Sequence, residues 1–170
     1  IPRLLAENYR VTVIDRFFFG ADSLPEHPRL NCIELDSREI PKSLLSDVDA
    51  VVDLAAMSND PCGETFQDLT WQVNFHARVR TARLAREAGV QRYILPSSCS
   101  VYGFQKEIVA ETSPTQPLTT YAVANLRAEQ SILQLNTKDF CATALRLATI
   151  FGCPPRMRLD LVVNAMVHRA

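Results

Sequence analysis

The sequence predicts an α/β fold, a doubly wound parallel sheet that is incomplete at its amino-terminal side. Three observations predict it. Five short aliphatic and β-branched runs alternate with stretches of helical spacing, the pattern of parallel strands covered on both faces. Several runs close on an acid or on hydroxyls, at Asp15, Asp36 and Ser97-Ser98, which places those groups at the carboxyl edge of the sheet. A strand and a glycine-rich turn should open such a fold, yet neither precedes the first helical stretch, and the whole chain has five glycines.

The elements follow in order. Ile1 to Glu7 reads as the tail of a helix with Asn8-Tyr9 as its exit turn, so the chain reads as a fragment cut within that helix. Val11-Thr12-Val13-Ile14 is a first strand ending at Asp15-Arg16, and Asn31 to Leu35 is a second ending at Asp36. Ala50 to Ala56 is a third and reads as the most deeply buried. Leu69, Val73, Ala77, Arg80 and Leu84 then recur at spacings of three and four, predicting a long helix over 66–88 that stops at Gly89. Arg92 to Pro96 is a fourth strand leading into the serines. A helix over 120–135 carries Ala124, Ala128, Ile132 and Leu135 on one face. Ala142 to Leu147 is a fifth strand, and a last helix begins near Leu159 with Leu161, Val162, Ala165 and Met166. The prolines cluster between elements, where a missing donor does little harm.

Composition narrows the function classes. A chain of 170 residues can bury one real core, and with 47% apolar residues, 22% charged residues and a net charge of −1 it has no basic excess for nucleic acid. No apolar run reaches the length of a membrane span and no signal peptide opens the chain, so neither a membrane nor a nucleic acid is an expected partner. The five cysteines are scattered without a CxxC pair, and His27, His76 and His168 lack ligand companions, so no metal site or disulfide framework is supported. Reduced thiols in a cytoplasmic protein are the expectation, with Cys99 as a small core filler because no histidine or lysine flanks it.

The chemistry concentrates in Ser97-Ser98-Cys99-Ser100-Val101-Tyr102-Gly103 and in Tyr121-Ala122-Val123-Ala124-Asn125. The first segment puts hydroxyls at a strand end; the second starts a helix with a tyrosine. A tyrosine with a hydroxyl neighbour can exchange a proton with a carbinol while hydride leaves the same carbon. Asn125 follows Tyr121 by one helical turn and shares its face.

From Tyr9 to Arg158 the ordered series Val13-Ile14-Asp15-Arg16, Glu34-Leu35-Asp36, Asp53-Leu54-Ala55-Ala56, Val73-Asn74, Ser97 to Gly103, Tyr121 and Leu145-Arg146 resembles the extended short-chain dehydrogenase/reductase family. These are NAD-dependent nucleotide-sugar epimerases and dehydratases with a Rossmann-like fold. The resemblance implies that residues 1–170 are a partial dinucleotide-binding domain, with the substrate domain mostly absent. It implies NAD as cofactor, with Asp15 on the adenosine ribose and Asp36 near the adenine. Arg16 softens the preference for NAD over NADP, because a guanidinium can also partner a phosphate. Leu54, Ala55 and Ala56 resemble the small-residue strand end that lets the cofactor approach, which tight helix–sheet packing would equally demand. Asn74 takes a supporting role beside the site.

Ser98 matches the family's catalytic hydroxyl, with Ser97 and Ser100 close enough for an offset, and Tyr121 matches its acid/base. A phenol titrates near 10 and needs positive charge nearby to serve as a base near neutrality. The family's lysine, which supplies that charge and binds the nicotinamide ribose, is replaced by Asn125. Three readings remain open: a subfamily that works with asparagine, compensation by another cation such as Arg127, or a cofactor-binding or sensor protein with weak turnover. Family dehydratases place an acidic pair after the catalytic hydroxyl; Cys99 and Ser100 stand here, which favours an epimerase acting through a keto intermediate. Arg146 resembles an architectural strand-closing arginine. Arg156 and Arg158 are either diphosphate ligands of a nucleotide sugar or solvated charges, and Phe17-Phe18-Phe19 either lines the adenine or marks a surface that other chain covers. The resemblance further implies a homodimer through the helices near 66–88 and 119–135. With the first strand missing from the sheet centre, two strand edges should lie unpaired, and residues 1–170 alone are expected neither to fold well nor to hold NAD.

Overall fold

The computed structural model describes residues 1–58, 60–154 and 157–170. In chain order the elements are α1 (Pro2–Ala6), β1 (Val11–Asp15), β2 (Leu30–Glu34), β3 (Ala50–Val52), α2 (Asp60–Thr65), α3 (Gln67–Trp71), α4 (Arg78–Glu87), β4 (Arg92–Ser98), α5 (Thr120–Leu133), β5 (Cys141–Leu147) and α6 (Val162–Arg169). They fall into two compact units, Ile1–Asp36 with Thr149–Ala170, and Ser37–Ala148.

The first unit is built on one parallel pair. Val11 to Asp15 runs beside Leu30 to Glu34 in unbroken register, so Asp15 ends the ladder opposite Glu34. Asn8 leaves α1 in the left-handed region, at φ 68, and turns the chain into β1. The Arg29 guanidinium donates back to Asn8 Oδ1 and to the Leu5 carbonyl, closing that turn. In α6 the buried residue is Asn164, whose amide accepts from Gly152 N–H and donates to the Arg158 carbonyl. The helix begins at Val162, later than the expected start near Leu159, and Val162 and Met166 are exposed.

The second unit holds a three-stranded parallel sheet in the order β3-β4-β5. Its core is Tyr93 and Leu95 of β4 against Ala124, Ala128 and Ile132 of α5 and Val79, Ala82 and Ala85 of α4, with Val90, Val101 and Phe140 closing the ends. Small residues on the inward faces of both helices let them lie close to the sheet. Ser98 is the last paired residue of β4, opposite Leu147. After it the turn Cys99–Tyr102 ends at Gly103 (φ 65), where a Cβ would sit 2.0 Å from the Gln116 carbonyl oxygen. Only glycine passes there.

Two expectations change. The third run forms a strand only over Ala50–Val52, and it is the least buried of the three, with Val52 49% exposed. As expected of a chain without the central strand, among the described residues β3 pairs with β4 alone and β1 with β2 alone, so each has one open edge. The long helix starts earlier than expected, at Asp60, and breaks at Phe66, whose backbone leaves helical values at φ −122 and ψ 58. It then winds as a π-helix over Gln72–Ala77. A π turn inserts an extra residue and rotates everything after it, so spacing counted from Leu69 fails beyond Ala77. Arg78, Val79 and Ala82 face inward, while Arg80 is exposed and donates to the Ile40 carbonyl.

Candidate active site

Ser98 is placed by the end of the β4 ladder and by the turn it caps. Its Oγ accepts from the backbone N–H of Ser100 at 3.2 Å and from the Ser100 hydroxyl at 2.9 Å. With both acceptor positions used, the Ser98 proton is left to donate outward. Ser97, on the opposite face of the strand, is 5% exposed and its hydroxyl has no partner among the described residues. Of the three serines, Ser98 is therefore the one presented, and Ser100 is its support. Cys99 is exposed rather than a core filler, because the tight turn points it away from the packed side.

Tyr121 lies in the first turn of α5. Thr119 caps that helix, accepting from Ala122 N–H. Two acids of α2 fasten the same end: Asp60 accepts from the Thr119 hydroxyl and Glu64 from the Thr120 N–H. That backbone hydrogen bond holds the Glu64 carboxyl below the usual carboxylate range. Between the two acids, Gly63 passes so close that a Cβ would lie 3.2 Å from Tyr121 Cβ. The Tyr121 hydroxyl itself forms no hydrogen bond with a described residue, to Ser98 or otherwise, and stands half-buried.

Asn125 is 1% exposed. Its Nδ2 donates to the Tyr121 carbonyl at 2.8 Å, and its Oδ1 accepts from Arg78 Nη1 at 2.5 Å. The same guanidinium donates through Nε to the Ala55 carbonyl at 3.1 Å. The asparagine therefore presents no amide to solvent, and a direct bond to a ribose is not what this structure offers. Sequence reasoning looked to Arg127 for a neighbouring cation, but Arg127 is exposed and the cation at Asn125 is Arg78. Nothing in the spacing could have shown this, since 47 residues separate the pair.

Beyond Asp53, whose N–H still donates to the Ile94 carbonyl of β4 at 2.9 Å, the segment after β3 is held by side chains. Asn74, fully buried in the π-helical turn, takes the Met57 N–H on Oδ1 at 2.8 Å and gives Nδ2 to the Met57 carbonyl at 3.0 Å. Arg78 holds Ala55, Ala56 is half-buried, and Leu54 is 72% exposed. Beneath them the buried Tyr93 hydroxyl donates to Asp53 at 2.5 Å. Burial first, and then Asp53, push the Tyr93 phenol well above its ordinary range, so it stays a donor.

Asp15, Arg16 and Asp36 come together in the first unit. Asp15 Oδ1 accepts from Phe17 N–H at 2.7 Å, which bends Phe17 to a positive φ of 48. Arg16 pairs with Asp36 at 3.1 Å and lies over the Phe18 ring at 4.4 Å, with Phe18 and Phe19 both exposed. Arg158 pairs with Asp160 two residues on; Arg156 lies outside the described residues. Arg146 is architectural in the plain sense. It bonds Glu129, Tyr102 and the Glu111 carbonyl, and the Glu129 carboxylate holds its guanidinium above the usual range. No cluster of metal-ligating side chains occurs among the described residues.

The model of the NAD dependent epimerase/dehydratase family matches residues 1–170. The chain belongs to that family. It is 30% identical over 177 residues to a probable UDP-arabinose 4-epimerase of Oryza sativa subsp. japonica, covering 92% of this chain and 42% of that protein. It is 29% identical to the human decarboxylating sterol-4-alpha-carboxylate 3-dehydrogenase, over 97% of this chain and 44% of the other. Among solved structures, the UDP-glucuronic acid 4-epimerase of Bacillus cereus in complex with NAD superposes with a TM-score of 0.83 at 25% identity, over 99% of this chain and 57% of that one. This family member thus spans less than half the length of the two curated relatives. Among the described residues no helix is long and apolar enough to cross a membrane.

Proposed function

We propose that the full-length protein is an NAD-dependent epimerase of a nucleotide sugar that works through a keto intermediate, with Tyr121 as proton carrier and Ser98 as the partner of the substrate oxygen. The observation that carries this is the Ser98 hydroxyl, saturated as an acceptor by Ser100 and so left to donate. In the reaction Ser98 hydrogen-bonds the oxygen that becomes a carbonyl, and Tyr121 takes its proton as hydride leaves the carbon. Return of hydride to the other face, with the proton given back by Tyr121, completes the inversion. Bound NAD supplies the hydride acceptor and donor.

Each unit, taken by itself, carries residues that suit that cofactor. Asp15 spends one oxygen on Phe17 and keeps the other for ribose hydroxyls. Arg16 is paired with Asp36 rather than offered to a 2′-phosphate, which favours NAD over NADP. Ala55 and Ala56 admit close approach, and Asn74 fixes the segment through Met57. An epimerase is favoured over a dehydratase because the turn after Ser98 carries Cys99 and Ser100, with no carboxylate to protonate a leaving hydroxyl. We place the protein in the cytoplasm on its five free cysteines, and as a homodimer through the helices near 66–88 and 119–135. The outer face of the first of these carries the half-buried Phe75 and Leu84 among arginines.

A second reading, a cofactor-binding protein with little turnover, is favoured by the uncharged and buried Asn125. Epimer formation from UDP-arabinose and UDP-glucuronic acid, with NAD binding measured in parallel, separates the two. Turnover that Tyr121→Phe abolishes and Ser98→Ala lowers by about 10²–10³ supports the enzyme. Tight NAD binding without turnover on either sugar supports the binding protein.

A further inference from the structure

We propose that Arg78 is the positioning residue of this site, carrying the positive charge that Asn125 lacks and applying it through that amide to the face of α5 that bears Tyr121. The inference rests on the reading of Tyr121 as proton carrier. It starts from what surrounds the guanidinium. Arg78 is 3% exposed, and its partners are two neutral acceptors, the Ala55 carbonyl and Asn125 Oδ1. Arg78 forms no ion pair with a described carboxylate.

Burying an ionised group is costly and is ordinarily repaid by an opposite charge. The same unit shows what a structural arginine looks like: Arg146 is neutralised by Glu129 through both its Nε and its Nη2. At Arg78 the acid of the same network, Asp53, accepts from the Tyr93 hydroxyl, which also donates to the Arg78 carbonyl oxygen at 3.3 Å. A neutral glutamine could tie Ala55 to Asn125 without the desolvation cost. The charge is what needs a reason, and in a buried setting its field is weakly screened.

The hydrogen-bond logic then explains why position 125 holds asparagine. Arginine can only donate and the Tyr121 carbonyl can only accept, so the residue between them must present an oxygen to one and an N–H to the other. Aspartate would lack the donor, and lysine would set a second cation against the first. Asn125 is thereby locked in a single orientation one turn below Tyr121, with the guanidinium behind it.

The test uses the full-length protein with UDP-arabinose and UDP-glucuronic acid, reading kcat, KM, the NAD dissociation constant and thermal unfolding. Arg78→Gln is expected to lower kcat by about thirtyfold with KM and NAD affinity changed less than about threefold. Arg78→Lys, which keeps the charge, recovers most of that loss. Asn125→Asp, which cancels the charge and keeps the Arg78 contact while giving up the bond to the Tyr121 carbonyl, lowers kcat like Arg78→Gln. The exchange Arg78→Gln with Asn125→Lys restores one cation and regains activity over either single change. If Arg78→Gln fails to fold, Asn125→Asp and Arg78→Lys decide alone.

Equal losses in Arg78→Lys and Arg78→Gln would overturn the inference in favour of packing. So would wild-type kcat in Asn125→Asp, or a loss confined to NAD affinity, which would mark Arg78 as holding only the Ala55 segment. Turnover unaffected by Tyr121→Phe would instead sink the underlying reading, and the inference with it.

Discussion

Replacing Asn74 by alanine should destabilise the protein and loosen the segment that follows β3. Asn74 is fully buried, and its two amide atoms satisfy both backbone groups of Met57 at 2.8 and 3.0 Å. Alanine leaves one N–H and one C=O without partners, each costing about 1–3 kcal/mol when buried. Met57 is half-buried, so water can recover part of one of them, and the net loss should be about 2–4 kcal/mol. Against a typical domain stability of about 5–15 kcal/mol that is large. Urea unfolding of the full-length protein measures it, and NAD titration should show weaker binding in the same variant. Asn74→Asp sharpens the test. Aspartate keeps the acceptor for Met57 N–H but turns a second oxygen toward the Met57 carbonyl, so burial and that carbonyl raise its folded pKa. Protonation restores a donor, and stability lost at neutral pH should return as pH falls through the raised value. A loss below about 0.5 kcal/mol for Asn74→Ala, or an Asn74→Asp penalty independent of pH, would refute the reasoning.

Three further outcomes follow from the same geometry. Arg146→Met leaves the Glu129 carboxylate, 4% exposed, without its cation and should cost about 3–5 kcal/mol in denaturant unfolding, with Glu129→Gln added to Arg146→Met recovering much of it. Gly63→Ala gains helix propensity but sets its Cβ 3.2 Å from Tyr121 Cβ, so kcat should fall while the unfolding temperature barely moves. Glu64 has a lowered folded pKa, so the stability it contributes is present above the ordinary carboxylate value and lost as pH falls through the lowered one. In Glu64→Gln that acid-side component of the unfolding temperature should vanish, seen by scanning calorimetry against pH.

The strands beginning at Val11, Leu30, Arg92 and Cys141 and the tyrosine helix were legible because each is a local pattern: an aliphatic run, or small residues at helical spacing. The serine and tyrosine segments were legible for the same reason, since one strand end and one helix start place them. Burial of the third run was misjudged because a continuous apolar run reports a residue's neighbours along the chain and not whether another strand covers its edge. The long helix lost its phase at a π turn, whose extra residue leaves no mark in hydrophobic spacing.

By itself, then, the sequence determined the alternation of strands and helices, the family and the residue types at Ser98, Tyr121 and Asn125, because short-range sterics and burial patterns decide those. Tertiary structure alone decided that Asn125 faces a buried arginine, that Asn74 closes on Met57 and that Gly63 abuts Tyr121. These are contacts between segments distant along the chain, and only packing of the helices against the sheet brings their polar atoms within bonding reach.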